Sequence, residues 1–266
     1  MGRAGVKRKL IRSRRRTADA RDGRARQDSW TANQILRLLP IPAFDAIAPW
    51  LERVELAQGE SLFEPGDDLT HAYFPLHGMV VGLILPMSDG RALEAATIGR
   101  EGAAGGIVSL GSKPAFARGL VQLSGQAARI PLSRLEAAKR AVPKLHDIFA
   151  RYNDCLTAQV LQSVGCASVH PLEARFARWL LTIHDRVGRA EFPLTQEAVA
   201  ERFGVARTYL TRVAGALHRR GAVSFNRGFV HIQSRAILEE AACECYSAVR
   251  GHFDRMAPGL YPLMEP

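Results

Sequence analysis

The chain has 266 residues, is 47% hydrophobic and carries a formal net charge of +10. That is long enough for one or two domains with a real core, and no apolar run approaches the roughly 18–20 residues that span a bilayer. The N-terminus is basic with no apolar stretch behind it, a pattern that argues against a secretory signal. Four scattered cysteines, Cys155, Cys166, Cys243 and Cys245, form no disulfide framework and point to a reducing cytoplasm.

Residues 1–29 hold 11 Lys and Arg against 3 Asp and almost no large apolar side chain. They read as a disordered basic tail that touches phosphates or is merely solvated. From Trp30 to Arg53, Ile35, Leu38, Leu39, Phe44, Ile47 and Leu51 recur at helical spacing. From Val54 to Ile130 short apolar segments alternate with glycine-bearing turns, and Ser88-Asp89-Gly90 separates two strands. This pattern predicts a β-sandwich or barrel, within a first domain of residues 30–142. Gly99 to Gly106, including Gly105, is glycine-rich and either exposes amides to an anion or simply turns between strands.

A short helix is expected over Pro131–Arg140, and a longer one begins at Pro143 and runs through residues 143–169. Inside it Leu145, Phe149, Tyr152, Leu156, Gln159 and Ser163 are spaced 4, 3, 4, 3, 4. That heptad-like seam is a candidate dimer interface, or the face of a helix packed onto its own sandwich. His170 to Val187 is amphipathic, with Leu172, Phe176, Trp179, Leu180 and Ile183 on one face.

Residues 170–235 form a basic block, with 11 Arg against 5 acidic residues. Such a block within a folded region suggests a polyanion partner. Its sequence "TQEAVAERFGVARTYLTRVAGALHRRGAVSFNRGFVHI" reads as helix, tight turn, helix, hairpin. Ala200 is small where two helices cross, Gly204 suits a left-handed turn, and Val199, Phe203, Val205, Leu210 and Val213 fall at buried positions. The second helix, about Ala206 to Arg220, contains no acidic residue, and Ala206 is a poor cap for it. Arg207, Thr208, Thr211 and Arg212 share an exposed face suited to base edges and phosphates. Thr195 and Gln196 at the start of the first helix, and Arg227 at the tip of the hairpin, complete the candidate DNA-binding set. Residues 236–266 form an acidic C-terminal extension.

Taken together, "GESLFEPGDDLTHAYFPLHGMVVGL", "DGRALEAATIGREGAAGG" and "FPLTQEAVAERFGVARTYLTRV" make residues 30–235 resemble the Crp/Fnr family of bacterial regulators. The resemblance implies an α+β chain: an N-terminal, jelly-roll-like β-roll sensor domain of cyclic-nucleotide-binding type, a long dimerisation helix, and a C-terminal winged helix-turn-helix. It implies a homodimer on palindromic double-stranded DNA, with RNA polymerase as a further partner and no membrane. The departures bear on the signal. The glutamate that meets the ribose in cAMP-binding members falls near Gly106. Arg118 is the nearest match for the phosphate arginine, and the purine-contacting hydroxyls fall near Val160 and Leu161. These argue against cAMP and leave the ligand unknown, with Gly105, Gly106 and Arg118 as the pocket to test. No cysteine precedes Cys155, so no N-terminal iron–sulfur cluster is expected. The family's Arg-Glu-x-x-x-Arg becomes Arg207-Thr208-x-x-x-Arg212, which removes an acceptor for cytosine N4.

Two other readings compete: a constitutive DNA-binding protein with an empty roll, and a small-molecule or metal enzyme built on the roll. No P-loop, G-x-S-x-G or H-E-x-x-H is present. The spacing of Cys243-x-Cys245 is shorter than the usual C-x₂₋₄-C of zinc sites, so the reading of the sequence assigns no metal and no catalytic residue.

Overall fold

The computed structural model describes residues 27–262; residues 1–26, which hold most of the expected basic arm, lie outside the described residues. Order begins earlier than residue 30. Gln27 is buried, and its side-chain amide donates to the carbonyls of Leu36 (2.6 Å) and Leu39 (3.0 Å). Those carbonyls lie at the C-terminal end of α1 (Gln34–Leu38), where a helix leaves its last carbonyls without intrahelical donors. Asn33 caps the other end of α1 by accepting from Leu36 N, while its amide nitrogen donates to Pro75 O and Gly102 O.

Helix α2 (Ile41–Ile47) and a 3-10 turn (Ala48–Trp50) follow, and the helical pattern expected through Arg53 stops there. Arg53 instead lies in β1 (Glu52–Leu56), opposite Ala128. Backbone pairing with a long-range strand outweighs the local periodicity here.

Seven strands build the roll: β1, β2 (Ser61–Phe63), β3 (His71–Pro75), β4 (Val80–Pro86), β5 (Ala92–Ile98), β6 (Arg118–Leu123) and β7 (Gly125–Pro131). They form antiparallel sheets of order β1-β7-β3 and β2-β6-β4-β5. The turn expected at Ser88-Asp89-Gly90 joins β4 to β5; Gly90 has φ +85° and Asp89 Oδ1 accepts from Arg91 N. Met79, Val81, Ile98, Val121 and Ala127 fill the space inside the roll.

Helix α3 (Leu132–Ala141) leads into α4 (Pro143–Val169), which starts on its proline as the sequence predicts. Helix α4 lies against the roll, with Phe149 6.1 Å from Phe74 between ring centres. After Pro171 come α5 (Leu172–Val187), β8 (Glu191–Pro193), α6 (Gln196–Phe203), α7 (Arg207–Arg219), β9 (Val223–Asn226) and β10 (Phe229–Ile232). β8, too short to leave a signal in the sequence, joins the wing as an edge strand in the order β8-β10-β9.

The C-terminal extension folds back as α8 (Arg235–Ala241) and α9 (Cys245–Met256). Val249, Phe253, Leu260 and Tyr261 enter the same core as Ile35, Phe44, Leu135 and Phe149. The final segment of the chain therefore closes the hydrophobic core begun by the first helices.

Candidate nucleic-acid interface

Helix α6 is capped by Thr195, whose hydroxyl accepts from Ala198 N at 3.2 Å. It ends at Gly204, with φ +63°, where a left-handed residue turns the chain into α7. Val199, Ala200, Leu210 and Val213 are buried between the helices, and Phe203 and Val205 pack against them. Each position read from the sequence as interhelical occupies that place. Ala206 precedes α7 without a side-chain cap.

The outward face of this unit is basic and open. Arg207, Thr208, Thr211 and Arg212 are all exposed, and among the described residues neither Arg207 nor Arg212 has an acidic partner. The Thr211 hydroxyl has one proton to give, to Gln196 Oε1 at 2.8 Å or to Arg207 O at 2.9 Å. Gln196 thus ties α6 to α7, and Thr211 sits between the two helices. Arg220, further along, is held by Glu173 at 3.4 Å.

The wing is a hairpin with Asn226 paired to Phe229, so Arg227 and Gly228 alone form its loop. Both have positive φ, +47° and +84°, the pattern of a type I′ turn. Among the described residues Arg227 is the one non-glycine residue in that region, and it stands exposed at the tip.

The opposite face of the same unit is buried against the roll. Glu94 on β5 and Arg202 on α6 meet at 2.8 Å with both side chains largely enclosed. Trp179 Nε1 donates to Glu94 Oε1 at 3.1 Å, and the Arg202 guanidinium lies 4.3 Å over the Trp179 ring. Gln122 also donates to Glu94, and a Cβ at Gly82 would collide with its amide. Deeper in, Arg186 on α5 bonds Glu101 Oε1 and Gln159 Oε1, each at 2.8 Å, while Gln159 Nε2 donates to Thr97 O at 3.0 Å. Burial is the largest single influence and works against the charge on Arg186, yet Glu101, Tyr261, Asp185 and Tyr152 together outweigh it and raise the guanidinium pKa. Asp185 accepts from Arg235, Tyr246 and Tyr261 at 2.7, 2.7 and 2.8 Å, fastening the C-terminal extension to α5. Spacing in the sequence carries no trace of these pairs, because their members lie far apart along the chain.

The expected dimer seam is spent within the chain. Leu145, Phe149, Tyr152 and Gln159 are buried in the protomer, and Leu156 and Ser163 are half-buried. A heptad pattern cannot distinguish a partner helix from the chain's own roll, and here the roll occupies that face. The other face of α4 carries Thr157, Leu161, Val164 and Ser168, with Leu161 67% and Val164 63% exposed.

Gly105 and Gly106 line an open cavity of about 400 Å³ in the roll, with Leu83, Leu85, Val108 and Leu156 among its walls. Its lining holds no charged side chain. Arg118, the third expected pocket residue, is not among its walls and pairs with Glu64 at 2.8 Å. A Cβ at Gly106 would press into the Lys113 stem, so the position expected for a ribose contact has no room for a side chain.

A family model of the Crp-like helix-turn-helix domain matches residues 174–241. No curated protein sequence matches the chain. Among solved structures, FixK2 from Bradyrhizobium japonicum is similar at 16% identity and TM-score 0.56, covering 73% of this chain and 98% of that one. CLP from Xanthomonas campestris, described as a c-di-GMP responsive global regulator, gives 15% identity and TM-score 0.55 over 73% of this chain and 100% of that one. A structure described as a putative cAMP-binding regulatory protein from Silicibacter pomeroyi gives 19%, TM-score 0.57, and 82% and 99% coverage. At these identities the likeness establishes a shared fold. No helix among the described residues is long and apolar enough to cross a membrane.

Proposed function

We propose, from a Crp-like helix-turn-helix domain set on the fold of the Crp/Fnr regulators, that the chain is a homodimeric transcription regulator that reads a palindromic DNA site. The observation that carries this reading is the exposed, acid-free α7 with Arg207 and Arg212 unpaired at its N-terminal half. Arginine there can meet guanine O6 and N7 in the major groove, each good pair adding about 1–3 kcal/mol of discrimination. Thr208 beside them suits a thymine methyl, Arg227 on the wing and Thr195 at the cap suit phosphates, and Gln196 positions Thr211. Two copies set one turn apart, roughly 34–36 Å, give the palindrome. The second copy pairs through the exposed Thr157, Leu161, Val164 and Ser168 face of α4, whose apolar members are left largely uncovered among the described residues.

The controlling signal enters the cavity of the roll. A wall without charge suits an uncharged, largely apolar molecule and is poorly matched to a phosphodiester such as cAMP. RNA polymerase is the partner through which a DNA-bound dimer acts, and no catalytic step is assigned to any residue.

Fragmented host DNA selected on the purified protein at moderate salt and then sequenced tests this reading. An inverted repeat with half-sites one turn apart is the expected product. Enrichment of no sequence, with binding lost steeply as salt rises, would overturn site-specific reading. Leu161→Asp with Val164→Asp should convert a dimer to monomers in light scattering; an unchanged mass would move the interface elsewhere.

A further inference from the structure

Four side chains from separate parts of the chain converge where α4 ends. Cys166 and His170 lie one turn apart at its C-terminus, and Cys243 and Cys245 lie at the corner between α8 and α9. Their ligand atoms all fall within 4.8 Å of one another. Cys166 Sγ is 3.5 Å from Cys243 Sγ, and Cys245 Sγ is 3.5 Å from His170 Nδ1. Three sulfurs and one imidazole nitrogen around a tetrahedral zinc, with Zn–S about 2.3 Å and Zn–N about 2.0–2.1 Å, stand roughly 3.5–3.8 Å apart along each edge. The two short pairs already have that edge length.

The surroundings fit a metal as well as the four ligands do. His170 turns Nδ1 to the cluster, while its Nε2 faces Glu244 Oε1 at 3.2 Å. A carboxylate on the far nitrogen fixes the tautomer of a metal-binding imidazole. Gln162 Nε2 lies 3.1 Å from Cys245 Sγ, in position to donate to a thiolate. The three cysteines are buried, with Ala174 packed over them.

We propose that Cys166, His170, Cys243 and Cys245 bind one zinc ion in a closed Cys₃His site. On binding, the three thiols release their protons and four protein atoms fill the coordination sphere, leaving no position for substrate. The ion is therefore structural. It joins the end of the long helix, the Pro171 linker and the C-terminal extension at the place where the sensor half passes into the DNA-binding half. The site depends on neither the DNA sequence read nor the ligand of the roll.

The test is zinc content by elemental analysis of the full-length protein purified under reducing conditions without chelator, followed by cobalt titration of chelator-treated protein. The expected results are about one zinc per chain and an intense tetrahedral cobalt spectrum with thiolate-to-metal charge transfer. Cys243→Ala should lower zinc to background, while Cys155→Ala, which removes a buried cysteine outside the cluster, should leave it in place. The cobalt spectrum is read on the natural sequence, so the proposal stays falsifiable if Cys243→Ala fails to fold. Protein lacking zinc whose cobalt form shows only weak octahedral bands would overturn it. So would a Cys166–Cys243 disulfide found by mass spectrometry as the native state.

Discussion

The two faces of the helix-turn-helix unit use arginine in opposite ways. On the outer face Arg207, Arg212 and Arg227 are exposed, with no carboxylate partner among the described residues. On the inner face Arg202 and Arg186 are enclosed and matched to Glu94 and Glu101. An unpaired arginine in water costs nothing to keep and stays free for DNA. A buried one must find opposite charge within the chain, and these contacts, an ion pair for Arg202 and hydrogen bonds for Arg186, fix how the DNA-binding half sits on the roll. Recognition and positioning therefore rest on the same residue type in opposite surroundings.

The contrast is broken most severely at Arg186. Arg186→Leu leaves Glu101 buried with its strongest partner gone, and losing one member of such a pair costs about 3–5 kcal/mol of stability. Chemical denaturation measures it. The double variant with Glu101→Leu should recover much of the loss; equal loss in both would mean that packing, not charge, holds the junction.

Next in size is a crossed test of the two faces. Arg212→Ala should cost about 1–3 kcal/mol of discrimination between the preferred site and its variants, read by competition binding. Glu94→Gln should instead shift affinity for all sequences together, because it alters the seating of α6 and not the reading surface. A change in sequence preference from Glu94→Gln would erase the division between the faces.

The helix-turn-helix frame was legible in the sequence and its junction with the roll was not, for a physical reason. Ala200, Gly204, Leu210 and Val213 form a local pattern, since adjacent helices constrain residues only a few positions apart. The family resemblance points to Gly106 and Arg118 alike; Gly105 and Gly106 line the cavity, whereas Arg118 pairs with Glu64. The members of the pairs Glu94–Arg202 and Arg186–Glu101 lie far apart along the chain, and only the tertiary fold brings them together. The seam on α4 was legible only as a buried face: its periodicity left open a partner helix or the chain's own roll, and Leu145, Phe149 and Tyr152 enter the chain's own core. Cys243-x-Cys245 looked isolated because its partners are some 75 residues upstream.

A smaller effect sharpens the contrast at the wing. Arg227 holds a left-handed backbone that costs a non-glycine residue about 1–2 kcal/mol. Arg227→Gly should raise the melting temperature slightly while weakening DNA binding uniformly across sequences, with the salt slope reduced by about one phosphate contact. Opposite signs in stability and binding are the signature of a strained residue kept for its charge. A parallel fall in both would show that the side chain supports the hairpin itself.

The smallest effect is one of pH, on the buried side. His184 is buried, and burial, then the Arg235 guanidinium, hold its pKa below the usual imidazole value, while Asp185 and Glu239 pull weakly the other way. Arg235 Nη1 lies 3.1 Å from Nδ1 and donates to the lone pair of a neutral ring. Protonation would set two cations in contact. The unfolded chain takes up that proton near pH 6.5 and the folded chain resists it, so the unfolded state binds more protons between its pKa and the folded one. Stability from this group is present above about pH 6.5 and is lost as pH falls through that window. Denaturation midpoints at about pH 7.5 and about pH 5.5 should therefore separate more for the natural sequence than for His184→Gln. The glutamine oxygen can still accept from Arg235 but cannot titrate. Equal separations would mean that the imidazole is charged in the fold, with Asp185 outweighing both burial and Arg235.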